Sequence, residues 1–240
     1  MSLEGKTILI TGGVRRVGRA MAFAVAGAGA NVVLHYRHSE DEAEALRDEI
    51  AGMGRTARLL KADLEDPKQC QDLIKRAWDG AGLFALVNNA AVFEPLSWET
   101  TELNSWNRHM MVNLTAPFLL SQAFARGLKP PEEGRIVNLL DWRALRPGAD
   151  HLPYTISKAG LAALTCSLAT ALAPHITVNG LALGAVLPPE KGSAEKVLEH
   201  VPAGRWAELA EVGQALVFLL EGPAYITGEI LHVDGGRHLV

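Results

Sequence analysis

The chain has 240 residues, a formal net charge of −4, 48% hydrophobic residues and 21% charged ones. This composition describes one globular domain, 1–240, with enough apolar residues for a sizeable core, and excludes a disordered chain. The mildly acidic balance argues against a dedicated nucleic-acid binder or an anionic-membrane binder.

Cys70 and Cys166 lie in unrelated contexts and read as two buried free thiols, which suits a reducing, cytoplasmic setting. The histidines show neither His-x-x-x-His nor Cys/His spacing, so no metal site is expected. No run approaches the roughly 18 apolar residues of a membrane span. Glu4 and Lys6 leave no room for the apolar core of a signal peptide, so none is expected.

Strand-like apolar runs alternate with helical patterns along the chain. Thr7–Thr11 is predicted as a first strand and Arg16–Ala28 as a first helix. Between them lies Thr11-Gly12-Gly13-Val14-Arg15-Arg16-Val17-Gly18. A strand, a glycine turn and a helix N-terminus together form an anion site, because backbone N–H groups and the helix dipole converge there. Thr11, Gly12, Arg15, Arg16, Val17 and Gly18 are therefore candidate dinucleotide contacts.

Asn31–Tyr36 is predicted as the second strand, and Ser39-Glu40-Asp41-Glu42 as a capping box opening a helix toward Gly52. The end of this strand distinguishes the two dinucleotides. An acidic residue there bonds the ribose of NAD, and a basic one accommodates the extra phosphate of NADP. The segment is His35-Tyr36-Arg37-His38-Ser39, with no carboxylate before Glu40. Arg37 offers a fork of donors and Ser39 a hydroxyl, which favours NADPH. Tyr36 and His38 are placed in the same site.

Thr56–Lys61 is a third strand, followed by Asp63 and Leu64 as candidate adenine contacts, although Asp63 also suits a turn cap. A helix starts at Asp66-Pro67 and ends by Gly80. Phe84–Val87 leads into Asn88-Asn89-Ala90-Ala91. Asn89 and Ala90 there either border the cofactor or stabilise a turn. Thr101–Gly127 reads as a long helix, with or without a short one before it, and Arg135–Leu140 as a fifth strand. Tyr154–Ala173 is an alanine-rich helix, Thr177–Ala182 a sixth strand, Ala207–Glu221 a last helix and Glu229–Val233 a seventh strand. Residues 187–205 form an irregular stretch, expected to be a short substrate lid. The order predicts an α/β fold, a doubly wound seven-stranded parallel sheet of the Rossmann type, with ligands at the carboxyl ends of the strands.

Tyr154 and Lys158 stand four residues apart, on one face of a helix. A nearby ammonium favours tyrosinate, so Lys158 is expected to lower the pKa of Tyr154 and make it a usable proton donor. With the Thr-Gly turn, Asn-Asn-Ala-Ala and the closing Thr227-Gly228 to Gly235-Gly236, this pair makes the chain from Lys6 to Gly236 resemble the short-chain dehydrogenase/reductase family. The resemblance implies that Asn113, by its side chain or local backbone, helps hold a water linking the lysine to solvent. It also implies cofactor contacts from Tyr154, Lys158 and Gly184, and a homotetramer with long helices pairing across subunits.

Two departures narrow the resemblance. The middle glycine of the usual turn is Arg16, and the usual serine thirteen residues before the tyrosine is Asp141. Both are similar to the pteridine reductases and the bacterial dihydromonapterin and dihydrofolate reductases related to them. That branch implies an Asp141–Tyr154–Lys158 catalytic set, Phe93 stacking the pterin against the nicotinamide, and an NADPH segment like residues 35–39. It also makes Arg16 a contact to substrate as well as cofactor. Ala91 replaces a serine found in some members, and Leu183-Gly184 replaces the family's Pro-Gly. The expected activity is reduction of a dihydropterin C=N bond by NADPH. The alternative is a carbonyl reductase, for instance of 3-oxoacyl thioesters. A non-catalytic nucleotide sensor on the same fold is a third reading, against which the intact Tyr154, Lys158 and Asn113 argue.

Overall fold

The computed structural model describes residues 2–80, 82–129, 131–188 and 194–240. The strands are β1 (Thr7–Ile10), β2 (Asn31–Tyr36), β3 (Ala57–Lys61), β4 (Ala85–Asn88), β5 (Gly134–Asp141), β6 (Ile176–Leu183) and β7 (Ile230–Val233). All pair in parallel in the order β3-β2-β1-β4-β5-β6-β7. The strand order reverses between β1 and β4, so a crevice opens there at the carboxyl edge of the sheet.

The helices are α1 (Arg16–Gly27), α2 (Glu40–Gly52), α3 (Pro67–Trp78), α4 (Leu103–Met110), α5 (Ala116–Gly127), α6 (Leu152–Leu172), α7 (Ala194–Leu198) and α8 (Leu209–Glu221). Successive residues of a strand face opposite sides of the sheet. Accordingly Ile8 and Ile10 of β1 pack into one core with α1, α2 and α8, whereas Leu9 packs into the other. In that second core Phe124 of α5 lies against Trp78 of α3, with ring centroids 5.5 Å apart.

Local chemistry explains most boundaries. Asp66 caps α3, its Oδ1 accepting from the Lys68 N–H at 2.8 Å, and Pro67 fills the first turn. The capping box predicted at Ser39 is absent: Ser39 precedes α2 without a side-chain cap bond. A capping box forms instead at α8, between Glu208 and Glu211, where no serine or threonine advertises it. The long helix predicted over 101–127 is α4 and α5 joined by one π-helical turn, Met111–Thr115.

Two further expectations change. Cys70 is buried but Cys166 is exposed on α6. By length and mean hydropathy α6 does reach the range of a membrane span, with 21 residues. It carries the buried side chains Tyr154, Ser157 and Lys158, and its Leu161 and Ala162 pack against Leu140 of β5 and Ala182 of β6. Of the expected lid, residues 189–193 lie outside the described residues; α7 and a turn whose Ala203 N–H donates to the Gly235 carbonyl at 3.0 Å follow.

Candidate active site

The glycine turn is tied to its neighbours from three sides. Thr11 Oγ1 donates to the Val87 carbonyl at 3.3 Å and accepts from the Asn89 and Ala90 N–H groups at 2.9 and 3.1 Å. Asn89 Nδ2 donates to the Thr11 and Gly12 carbonyls at 2.8 and 3.0 Å. Gly12 has φ +59°, and a Cβ there would lie 3.1 Å from Ala90 Cα. A Cβ on Gly18 would strike the Gly12 carbonyl oxygen. Arg16 sits at φ +50°, in the left-handed region where the family carries glycine.

His35 completes the turn, and the sequence reading did not single it out. Its Nδ1 accepts from the Gly12 N–H at 3.1 Å and its Nε2 lies 3.1 Å from the Ala62 carbonyl, which accepts from it. This pairing assigns a neutral tautomer, with Nε2 protonated. Burial pushes its pKa down to about 4. Only its place opposite the glycine turn, at the end of a buried strand, could have flagged it.

Arg37 at the end of β2 is held by two carboxylates, Asp63 Oδ2 at 2.9 Å and Glu65 Oε1 at 2.7 Å. Glu65 Oε1 also meets Arg108 Nε at 3.0 Å, and Arg108 Nη1 meets Glu94 Oε1 at 3.0 Å. The residues expected to contact phosphate and adenine are thus engaged with each other. Tyr36 is buried, its hydroxyl 3.5 Å from Glu40. Tyr36, His38 and Ser39 are not among the residues that line the cleft described below.

At the other end, Tyr154 Oη donates to Asp141 Oδ2 at 3.3 Å. Asp141 Oδ1 accepts from the Arg143 N–H at 2.9 Å, with Arg143 Nη1 at 3.4 Å. Lys158 Nζ donates to the Leu139 carbonyl at 2.6 Å and lies 5.8 Å from the Tyr154 ring centroid. Burial lowers the Lys158 pKa to about 8, with the charge of Asp141 opposing. The expected lowering of the Tyr154 pKa is not found. Burial first, then the charge and hydrogen bond of Asp141, raise it well above the usual phenol value. The Asn113 side chain is committed inside the protein: Oδ1 accepts from the Val92 N–H at 2.8 Å, and Nδ2 donates to the Val92 carbonyl and Ser157 Oγ.

These elements border one cleft of about 560 Å³. Of the expected site residues, Gly12, Arg15, Arg16, Val17, Gly18, Arg37, Asp63, Leu64, Asn89, Ala90, Phe93, Asp141, Tyr154 and Gly184 line it. Thr11, Asn113 and Lys158 stand behind the lining as buried supports, because their polar atoms are used in the bonds above. Val92, Arg108, Val112, Leu140 and Val186 line it without having been predicted, and so do His35 of the 35–39 segment, Leu183 beside Gly184 and Leu187 at the start of the expected lid. Phe93 stands edge-on to Tyr154, with centroids 4.7 Å apart at 82°. Trp142 and Arg146 border a separate cavity of about 250 Å³.

A family model described as enoyl-(acyl carrier protein) reductase matches residues 13–238. The chain is similar to the 3-oxoacyl-(acyl-carrier-protein) reductase of Synechocystis sp., 32% identical over 241 residues that cover 98% of each protein. Among solved structures it is similar to FolM alternative dihydrofolate reductase 1 from Brucella canis complexed with NADP. That match has a TM-score of 0.93 and 35% identity, over 100% of this chain and 97% of the other. A blue fluorescent protein from a metagenomic library, in complex with NADPH, matches at TM-score 0.93 and 31% identity over 99% of each.

Proposed function

The chain belongs to the short-chain dehydrogenase/reductase family, and from that premise we propose that it is an NADPH-dependent reductase of a dihydropterin C=N bond. The observation that carries this reading is Asp141, whose carboxylate meets the Tyr154 hydroxyl at 3.3 Å where the family pattern has serine. Phe93 at the cleft wall and the similarity to a FolM dihydrofolate reductase support it. The same reading includes a homotetramer acting in the cytoplasm.

The residues present fit the cofactor. Gly12 and Gly18 leave no space for a Cβ, so the turn packs tightly against Ala90 and Asn89 and its backbone N–H groups would hold the pyrophosphate. Arg15, at the N-cap of α1, makes no side-chain cap bond, which leaves first-turn N–H groups to an anion. Arg37 and Arg108 bring two guanidiniums to the outer end of the cleft, suited to a ribose 2′-phosphate.

When bound, the cofactor supplies a hydride to the ring carbon of the C=N bond. The chain supplies the proton. Tyr154, kept protonated by burial and by Asp141, delivers its hydroxyl proton to the ring nitrogen. Asp141, with 15% of its side chain exposed, returns a proton from water to the tyrosinate. Lys158 places a buried cation behind Tyr154 and favours the transient tyrosinate. Asn113, its side chain consumed, serves a bound water through its backbone in the π turn. Phe93 offers a face to a planar ring, and Arg16 a planar donor from the cofactor turn.

Reduction of a 3-oxoacyl thioester is the second reading, favoured by the relative in Synechocystis sp.. NADPH oxidation is to be followed with dihydropterins, dihydrofolate and a 3-oxoacyl thioester. The expected result is turnover of the pterins, lost in Asp141→Ser while NADPH binding persists. Activity on the thioester alone overturns the pterin reading.

A further inference from the structure

Arg143 touches both halves of the catalytic end. Its side chain is 15% exposed, with Nη1 3.4 Å from Asp141 Oδ1 and Nη2 2.7 Å from Asp150 Oδ2. The Asp150 carboxylate also accepts from His151 Nδ1 at 3.1 Å. The His151 ring lies flat against Phe93, with centroids 4.3 Å apart and planes 10° from parallel. Phe93 lines the cleft, and His151 covers one face of its ring. His151 is held at φ +51°, a conformation a non-glycine residue adopts only where its surroundings impose it.

We propose that Arg143 is a positioning residue whose guanidinium holds Asp141 as the acceptor for Tyr154 and, through Asp150 and His151, sets the plane of Phe93. The proposal rests on the pterin reading of the Asp141–Tyr154 couple. A fork of donors reaches two carboxylates at once, whereas a lysine ammonium reaches one as a point charge. The charged and titratable groups facing Asp141 are Tyr154 and Lys158 from α6, Arg143 from its own turn and Arg237 from the C-terminal turn. Arg143 is the one in ion-pair contact. Removing the guanidinium leaves the Asp141 carboxylate free to turn away from the Tyr154 hydroxyl. Removing its fork frees Asp150 and His151, and Phe93 loses its backing.

The test is steady-state reduction of a dihydropterin by NADPH across the acid and neutral range, with NADPH fluorescence binding as the check on folding. Arg143→Met is expected to lower kcat roughly tenfold, as Asp141 turns from Tyr154, and to raise KM by roughly tenfold, each the worth of about 1.4 kcal/mol. Arg143→Lys restores kcat but not KM. His151→Gly, which tolerates the positive φ, raises KM and leaves kcat in place. A fall in kcat that Arg143→Lys does not restore, with an unchanged KM, overturns the proposal and marks Arg143 as merely structural. Should Arg143→Met fail to bind NADPH, Arg143→Lys and His151→Gly decide it by the same two readouts. Absence of dihydropterin turnover by the unaltered protein overturns the functional reading itself, together with this proposal, before any variant is needed.

Discussion

Arg16 holds a backbone conformation that suits glycine, with φ +50° and its side chain exposed at the cleft. Left-handed geometry costs a side chain about 1–2 kcal/mol, partly offset because glycine would free the unfolded chain by about 0.5–1 kcal/mol. Arg16→Gly is therefore expected to raise stability by about 1 kcal/mol or less, read by urea unfolding. The same change is expected to lower pterin preference over the thioester more than NADPH affinity. Arg37 presents a different case, because Asp63 and Glu65 already occupy its fork. In the role proposed for it, Arg37 makes a charge-assisted bond to the 2′-phosphate, worth about 1.5–3 kcal/mol, which Arg37→Ala would remove. The two carboxylates weaken the local field, so a loss of about tenfold in NADPH affinity is expected, with NADH little changed. Equal loss for both dinucleotides would remove Arg37 from this role.

The glycine turn, the end of β2 and the end of β3 act as one element, because His35 ties them together. It receives the Gly12 N–H on one nitrogen and gives its own N–H to Ala62 from the other. A second proton on the ring would turn that acceptor into a donor facing a donor. The folded pKa, about 4, lies below the ordinary 6.5. Between these values the unfolded chain binds the extra proton and the folded one does not. Stability is thus complete above the ordinary value and falls as pH drops through the window, by about 3 kcal/mol in all. His35→Gln is expected to flatten this acid limb in denaturation measured against pH. An unchanged limb would mean that another group carries the acid sensitivity. The turn between α4 and α5 is a second composite: a single π turn places Asn113 where its side chain clamps Val92, one residue before Phe93.

Across the whole molecule, chemistry gathers where β1 and β4 part and the strands end. Cofactor-side and substrate-side residues come from separate segments, and the sheet alone brings them to one cleft. The element order, the glycine turn and the Tyr154–Lys158 spacing were legible in the sequence. These depend on periodicity, on backbone sterics over a few residues, and on the direction side chains take from a helix or strand. Boundaries shifted by a residue or two for the same reason, since frayed ends carry little pattern. Tertiary structure alone decided who meets whom: His35 with Gly12, Arg37 with two carboxylates, Lys158 with Leu139 and Arg143 with Asp141 and Asp150. It also reversed the expected direction for Tyr154. Sequence spacing records an ammonium four residues away, but burial and a carboxylate from β5 set the proton affinity. Desolvation and long-range charge depend on distance through space, which no local pattern encodes.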